Sequence, residues 1–231
     1  MLLATRQGRA MRFPVSTVRV FQSRASTGVR GMTLREGDEV ISLSILSGFE
    51  ATTEERDDYL RAAPWKGNEA EPTLPPERVT EFAEAEQFLL TVCANGYGKL
   101  SSAYEYRRTG RGGQGITNIG TPESNPDRNG PVVASFPVKH GSQLMLVTDQ
   151  AKLIRLGIDL RHMIEGGFES LKGFSISGRG SSGIRIFDVA KGEHIVGAAL
   201  IDETTEPENP AEEAIAAEMS AASDAGEPPV T

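Results

Sequence analysis

The sequence predicts an all-β, propeller-like repeat of four-stranded blades, about three of them, and three observations carry that prediction. Residues 2 to 48, 88 to 142 and 143 to 201 each open on an apolar strand, at Leu2-Leu3-Ala4-Thr5, Leu89-Leu90-Thr91-Val92 and Leu144-Met145-Leu146-Val147. Each unit then reaches a small-residue turn ending in glycine before a second strand, at Ser26-Thr27-Gly28, Gly113-Gln114-Gly115 and Ser181-Ser182-Gly183. A further glycine (Gly37, Gly130, Gly192) leads into a last apolar run at 40–43, 132–135 and 195–198. The anchor glycine lies 26 residues past the opening of the first strand in the first two units and 39 past it in the third, so the third unit carries 13 extra residues. Self-similarity at ~40 to 50 residues is the signature of such arrays.

Taken in order, residues 1–48 form the first blade, with a net charge of +4. Residues 49–87, at −7, break the β pattern as an acidic helical linker between blades. Glu54 to Leu60 reads as one helix, Pro72 and Pro75 interrupt it, and a second helix from Pro76 sets Val79, Phe82 and Ala83 at helical spacing. Residues 88–142 are the second blade at +3, and 143–201 the third at +1, with an insertion over His162 to Ser175. Residues 202–231 hold nine acids and no lysine or arginine, a composition that cannot offset chain entropy and predicts a disordered acidic tail. The pI of about 5.1 thus hides blades that are neutral to basic. Three units are fewer than the ~4 to 8 blades that close a propeller, so the expectation is part of something longer, with Met1 leading directly into a strand.

Several chemistries are excluded. A single cysteine, Cys93, allows no internal disulfide and sits among apolar strand residues as a buried hydrophobe, in keeping with a reducing compartment. No apolar run approaches the ~18 residues of a membrane helix, and the N-terminus lacks a secretory signal, so a cytoplasmic protein is expected. Gly110-Arg111-Gly112-Gly113-Gln114-Gly115 and Gly178-Arg179-Gly180-Ser181-Ser182-Gly183 satisfy G-x-G-x-x-G, but β-like residues follow each where a dinucleotide fold needs a helix. Gly96 to Leu100 lacks the Ser or Thr of a phosphate loop, and His140, His162 and His194 lack metal-ligand spacing. Tyr97, Tyr104 and Tyr106 read as packing residues rather than nucleophiles, and no cofactor is expected on this chain.

The cationic signal is the informative one. Arginine and glycine interleave in Tyr106-Arg107-Arg108-Thr109-Gly110-Arg111-Gly112-Gly113, and Arg24, Arg30, Arg179 and Arg185 recur near equivalent turns. Guanidinium groups grip phosphate oxygens bidentately without reading sequence, and glycines admit the backbone N–H groups. Arg24, Arg30, Lys99, Arg107, Arg108, Arg111, Arg179 and Arg185 are the expected phosphate contacts, with Gly28, Gly112, Gly113, Gly115 and Gly183 shaping the turns. The tail could occupy the same rim intramolecularly.

Arg12-Phe13-Pro14-Val15-Ser16-Thr17-Val18-Arg19, Ser26 to Gly31, Asn95 to Lys99 and Glu105 to Gly115 together resemble the C-terminal part of the A subunit of bacterial DNA gyrase, over essentially residues 1–201. The resemblance implies the last three blades of a six-bladed β-pinwheel that binds and bends double-stranded DNA on a basic rim. It also implies a role in ATP-driven negative supercoiling on the chromosome, with the catalytic region of the gyrase A subunit and the gyrase B subunit as partners. The family's catalytic tyrosine lies in a region absent here, so no catalytic centre is expected, and ATP and Mg²⁺ would be bound elsewhere in the full complex. Thr109 to Gly115 is a degenerate copy of the family's glutamine-arginine-glycine box, with Thr109, Gly110 and Gln114 at departing positions. Ala151 stands where the turn pattern has glycine. The rival expectations are the C-terminal domain of a topoisomerase IV A subunit and, from another class, a propeller fragment that binds protein or has decayed.

Overall fold

A computed structural model of the protein describes residues 1–66, 70–120, 124–160 and 174–201. The acidic tail and nearly all of the expected 162–175 insertion lie outside these residues. Three antiparallel sheets are present among them. The first is built from β1 (Leu2–Thr5), β2 (Arg9–Arg12) and β3 (Val40–Ser44). The second is built from β4 (Phe88–Cys93), β5 (Tyr97–Ser102) and β7 (Val132–Val138), and the third from β8 (Gln143–Thr148), β9 (Leu153–Gly157) and β11 (Ile195–Ile201).

The remaining strands cross between units. β6 (Ile116–Thr117) pairs with β2, and β10 (Ile184–Arg185) pairs with β5, so the orders are β3-β1-β2-β6, β10-β5-β4-β7 and β11-β8-β9. The blades therefore do not coincide with the contiguous segments expected from the repeat: each strand after an anchor glycine completes the sheet of the unit before it. The strand expected after Gly28 does not form. Residues 28–35 join none of the three sheets. The third sheet has three strands among the described residues, against four in each of the other two.

Stacking explains the burial. β4 is buried at every position because both faces of the second sheet are covered. Alternation sends Leu89 toward Leu2, Ala4 and Tyr106 of the first junction, and Leu90 and Val92 toward Leu144, Leu146 and Ile158 of the second. A polar knot lies between the sheets, where the Tyr106 hydroxyl donates to Asn118 Oδ1 at 2.5 Å and Asn118 Nδ2 donates to Ser135 Oγ at 3.2 Å. Cys93 is buried as expected, and burial pushes its thiol up to about 12.

The excursion holds α1 (Thr53–Arg61) and α2 (Pro76–Ala85), matching the expected helices. Thr52 and Glu55 form a capping box on α1, and Pro76 starts α2 where a missing N–H does no harm. The helices pack on the second unit through aromatic rings. Tyr59 stacks on Phe82 at 4.9 Å, and Tyr104 meets Phe82 edge-on at 5.3 Å. The Tyr59 hydroxyl and Trp65 Nε1 both donate to the carboxylate of Glu86, at 2.8 and 3.2 Å.

Candidate nucleic-acid interface

Arg24, Arg111 and Arg179 each lie four residues before their anchor glycine, in Arg-x-x-x-Gly segments. In two of them the side chain reaches the carbonyl two residues past the previous anchor: Arg111 Nη1 donates to Arg30 O at 3.2 Å, and Arg179 Nη1 to Thr117 O at 2.8 Å. These arginines staple each exchanged segment to the one before it. Arg111 Nε also donates to Thr17 O at 3.0 Å. Arg24, at the same offset in the first unit, is exposed and makes no such bond among the described residues.

The glycines make the exchange possible. Gly115 (φ 68°) and Gly183 (φ 69°) hold left-handed backbone, and a Cβ at either would lie 2.5 Å from the carbonyl oxygen of Ala10 or Gly98. Gly28 and Gly112 also have positive φ, in open space, whereas Gly113 does not but accepts from Thr33 N at 2.8 Å.

Lys99, expected at a phosphate, is instead buried. Its Nζ donates to Gly178 O at 2.8 Å and Arg179 O at 2.6 Å, tying down the segment that leads into β10. Desolvation lowers its ammonium to about 7, against a smaller opposing effect of Glu105. Arg185 is engaged as well: it pairs with Asp188 at 2.6 Å, donates to the Tyr97 hydroxyl at 2.8 Å and lies over the Tyr97 ring. Arg128, which the sequence does not single out, covers that ring at 4.4 Å and donates to Ser182 O at 2.8 Å and Gly183 O at 3.1 Å.

The first junction differs. Gly112 N donates to Gly31 O at 2.6 Å, which binds the 107–113 turn to the 17–33 segment and brings Arg30, Arg107, Arg108 and Arg111 into one neighbourhood. Arg30 and Arg107 are exposed, and among the described residues their side chains make no hydrogen bond or ion pair. Arg108 makes an exposed pair with Glu50 at 3.1 Å. Arg9 and Arg12 escape a reading of the sequence because they sit inside a strand pattern. Arg9 donates to Gln114 O at 3.0 Å and Gly115 O at 2.5 Å, and Arg12 to Ala103 O at 2.8 Å. Among the described residues no group of His, Cys, Asp and Glu could hold a metal, and no helix is long and apolar enough to cross a membrane.

Antiparallel sheets that complete one another by exchanged strands, with arginine staples at their seams, define a propeller-like repeat domain. A model of the DNA gyrase C-terminal domain, a beta-propeller, matches residues 1–47, 87–130 and 170–202, and the chain belongs to that family. It is 44% identical over 219 residues to the DNA gyrase A subunit of Rickettsia felis, covering 90% of this chain and 22% of that protein. It is 42% identical over 228 residues to the corresponding protein of Granulibacter bethesdensis, covering 88% and 22%. The chain thus spans little more than a fifth of these curated relatives. Among solved structures it is similar to a DNA gyrase A C-terminal domain, with TM-score 0.53, 20% identity and coverage of 87% of this chain and 50% of that one. It is also similar to the C-terminal domain of DNA topoisomerase IV, with TM-score 0.57, 18% identity and coverage of 95% and 50%. At those identities the two structures speak for the fold alone.

Proposed function

We propose that this chain is a DNA-binding and DNA-bending module of a gyrase A subunit, holding duplex phosphates on basic blade margins in support of ATP-dependent negative supercoiling by the full enzyme. The observation that carries this reading is the first junction, where the guanidinium groups of Arg30 and Arg107 are exposed and, among the described residues, unpartnered beside Arg108 and Arg111. Planar forks of this kind hold phosphate oxygens bidentately, and contacts to backbone alone position a duplex without reading its bases. Strand cleavage, ATP hydrolysis and Mg²⁺ binding then belong to the catalytic region of the gyrase A subunit and to the gyrase B subunit, with the module working on the chromosome in the cytoplasm.

Fluorescence anisotropy with a labelled duplex across a salt series tests this. Affinity should fall with salt by a slope of about 0.9 for each phosphate engaged. Charge reversal at Arg30, Arg107 and Arg108 together should remove most of that dependence. Unchanged affinity in the triple variant, with melting shown to be intact, would sink the reading.

A further inference from the structure

An isolated parallel bridge recurs at both junctions: it joins Arg12 to Arg108 at the first and Leu100 to Ile176 at the second. The second pair belongs to the apolar core between the sheets. The first sets two like charges side by side, and burial followed by repulsion from Arg108 lowers the Arg12 guanidinium from its ordinary value, with Arg56 adding to that repulsion. Like charges held close together destabilise a fold unless counter-charge offsets them. The cleft at this place has a volume of about 220 Å³, and its lining among the described residues includes four arginines (Arg12, Arg56, Arg107 and Arg108) and no carboxylate. Thr53, the first residue of α1, also lines it. At the start of α1 the Glu55 N–H is taken by the Thr52 hydroxyl, while those of Thr53 and Glu54 have no partner within the helix. A second cleft of about 180 Å³ shares Arg12 and Arg107 and runs on to Thr109 and Gln114, so the cation-lined surface continues along the exchanged segment.

We propose that this cleft is a subsite for one phosphate group of the DNA backbone, with Arg56 of the helical excursion and Arg107 of the turn gripping it from two sides. The inference rests on the reading of the chain as a DNA-binding module, and it turns the acidic excursion from a linker into part of the track. Asp57 holds Arg56 at 2.6 Å and Glu50 holds Arg108 at 3.1 Å, so both arginines stay oriented until a phosphate displaces these exposed carboxylates. The site is specific to the first junction. Counted from the anchor glycines, the second junction has Ser175 and Ile176 where the first has Arg107 and Arg108.

The test is duplex binding by anisotropy across a salt series, with the whole chain as wild type, Arg56→Gln, Arg107→Gln, the double variant, and Arg30→Gln as a cation outside the cleft. Two arginines sharing one phosphate should each lower the salt slope by about 0.9, with the double variant losing no more than either single, while Arg30→Gln lowers it independently and additively. If Arg56→Gln keeps the wild-type affinity and slope while Arg30→Gln loses them, the subsite is wrong and the DNA-binding reading stands. If the folded wild type binds no duplex, both fall together. If inorganic phosphate raises the melting temperature of the wild type but not of Arg56→Gln, and duplex affinity is the same for both, the cleft takes a free phosphate and its assignment to DNA is overturned.

Discussion

The two junctions are built on one plan and use their cations differently. Each has an exchanged strand, a left-handed glycine lying against a carbonyl, and an arginine staple four residues earlier. At the second junction the basic groups are consumed by structure: Lys99 and Arg128 satisfy backbone carbonyls, and Arg185 is held by Asp188 and Tyr97. At the first junction Arg107 faces solvent and lines a cleft with Arg12, Arg56 and Arg108, where the second junction has Ser175 and Ile176 in place of Arg107 and Arg108. The lesson is that the arginines four residues before the exchanged glycines, Arg111 and Arg179, stitch the repeat together, while Arg107, whose counterpart at the second junction is Ser175, is free to meet a ligand.

The shared plan is broken most severely at the glycines. Gly115→Ala and Gly183→Ala each force a Cβ against a backbone oxygen in a left-handed conformation, and each should lower stability by about 3 kcal/mol or more, read as a shift of the denaturant midpoint. Tolerance of either would mean the exchanged strand is not held at that close approach.

Next in size is the buried ammonium of the second junction. Below about pH 7 Lys99 is charged in both folded and unfolded chains, and its burial penalty is complete. From about 7 to the ordinary lysine value of 10.5 the folded chain has released the proton and the unfolded chain has not, so stability rises with pH through that window. The rise should be on the order of a few kcal/mol. Chemical denaturation at pH 6.5 and 9.5 measures it, and Lys99→Met should flatten the difference. An equal slope in that variant would assign the effect elsewhere.

A crossed pair of substitutions sharpens the contrast between junctions. Arg179→Ala removes a charged donor from Thr117 O and should lower stability by about 1.5–3 kcal/mol while leaving the duplex salt slope nearly intact. Arg107→Ala should do the reverse, with stability within about 0.5 kcal/mol of wild type and a slope reduced by about 0.9. Matching effects at both positions would erase the distinction between staple and contact.

The smallest effect is expected at the third sheet. Among the described residues Ala151 is the one non-glycine at positive φ, 59°, in the turn where the first two sheets have Gly8 and Gly96. Ala151→Gly should relieve that strain and raise stability by about 0.5–1 kcal/mol, visible as a higher melting temperature.

Much of this molecule is legible in its sequence, for identifiable reasons. The strands announce themselves because apolar alternation has a period of two, and the excursion helices because Thr52, Glu55 and Pro76 are start signals with local chemistry. Ala151 stands out as a departure from a glycine pattern. Even the staples leave a trace, since Arg111 and Arg179 lie at one offset from their glycines, an offset that Arg24 shares without making the bond.

Only the tertiary structure decided which sheet each strand joins. A two-residue strand such as β6 or β10 carries no information about its partner, because backbone hydrogen bonds are identical everywhere and register is set by what lies alongside. The same holds for charge. From composition Lys99 and Arg107 are equivalent basic residues beside glycine turns. Packing places one against the segment that leads into β10, between two carbonyls, and leaves the other exposed at an arginine-lined cleft, and the difference in desolvation between those places is what separates a structural cation from one left open to solvent.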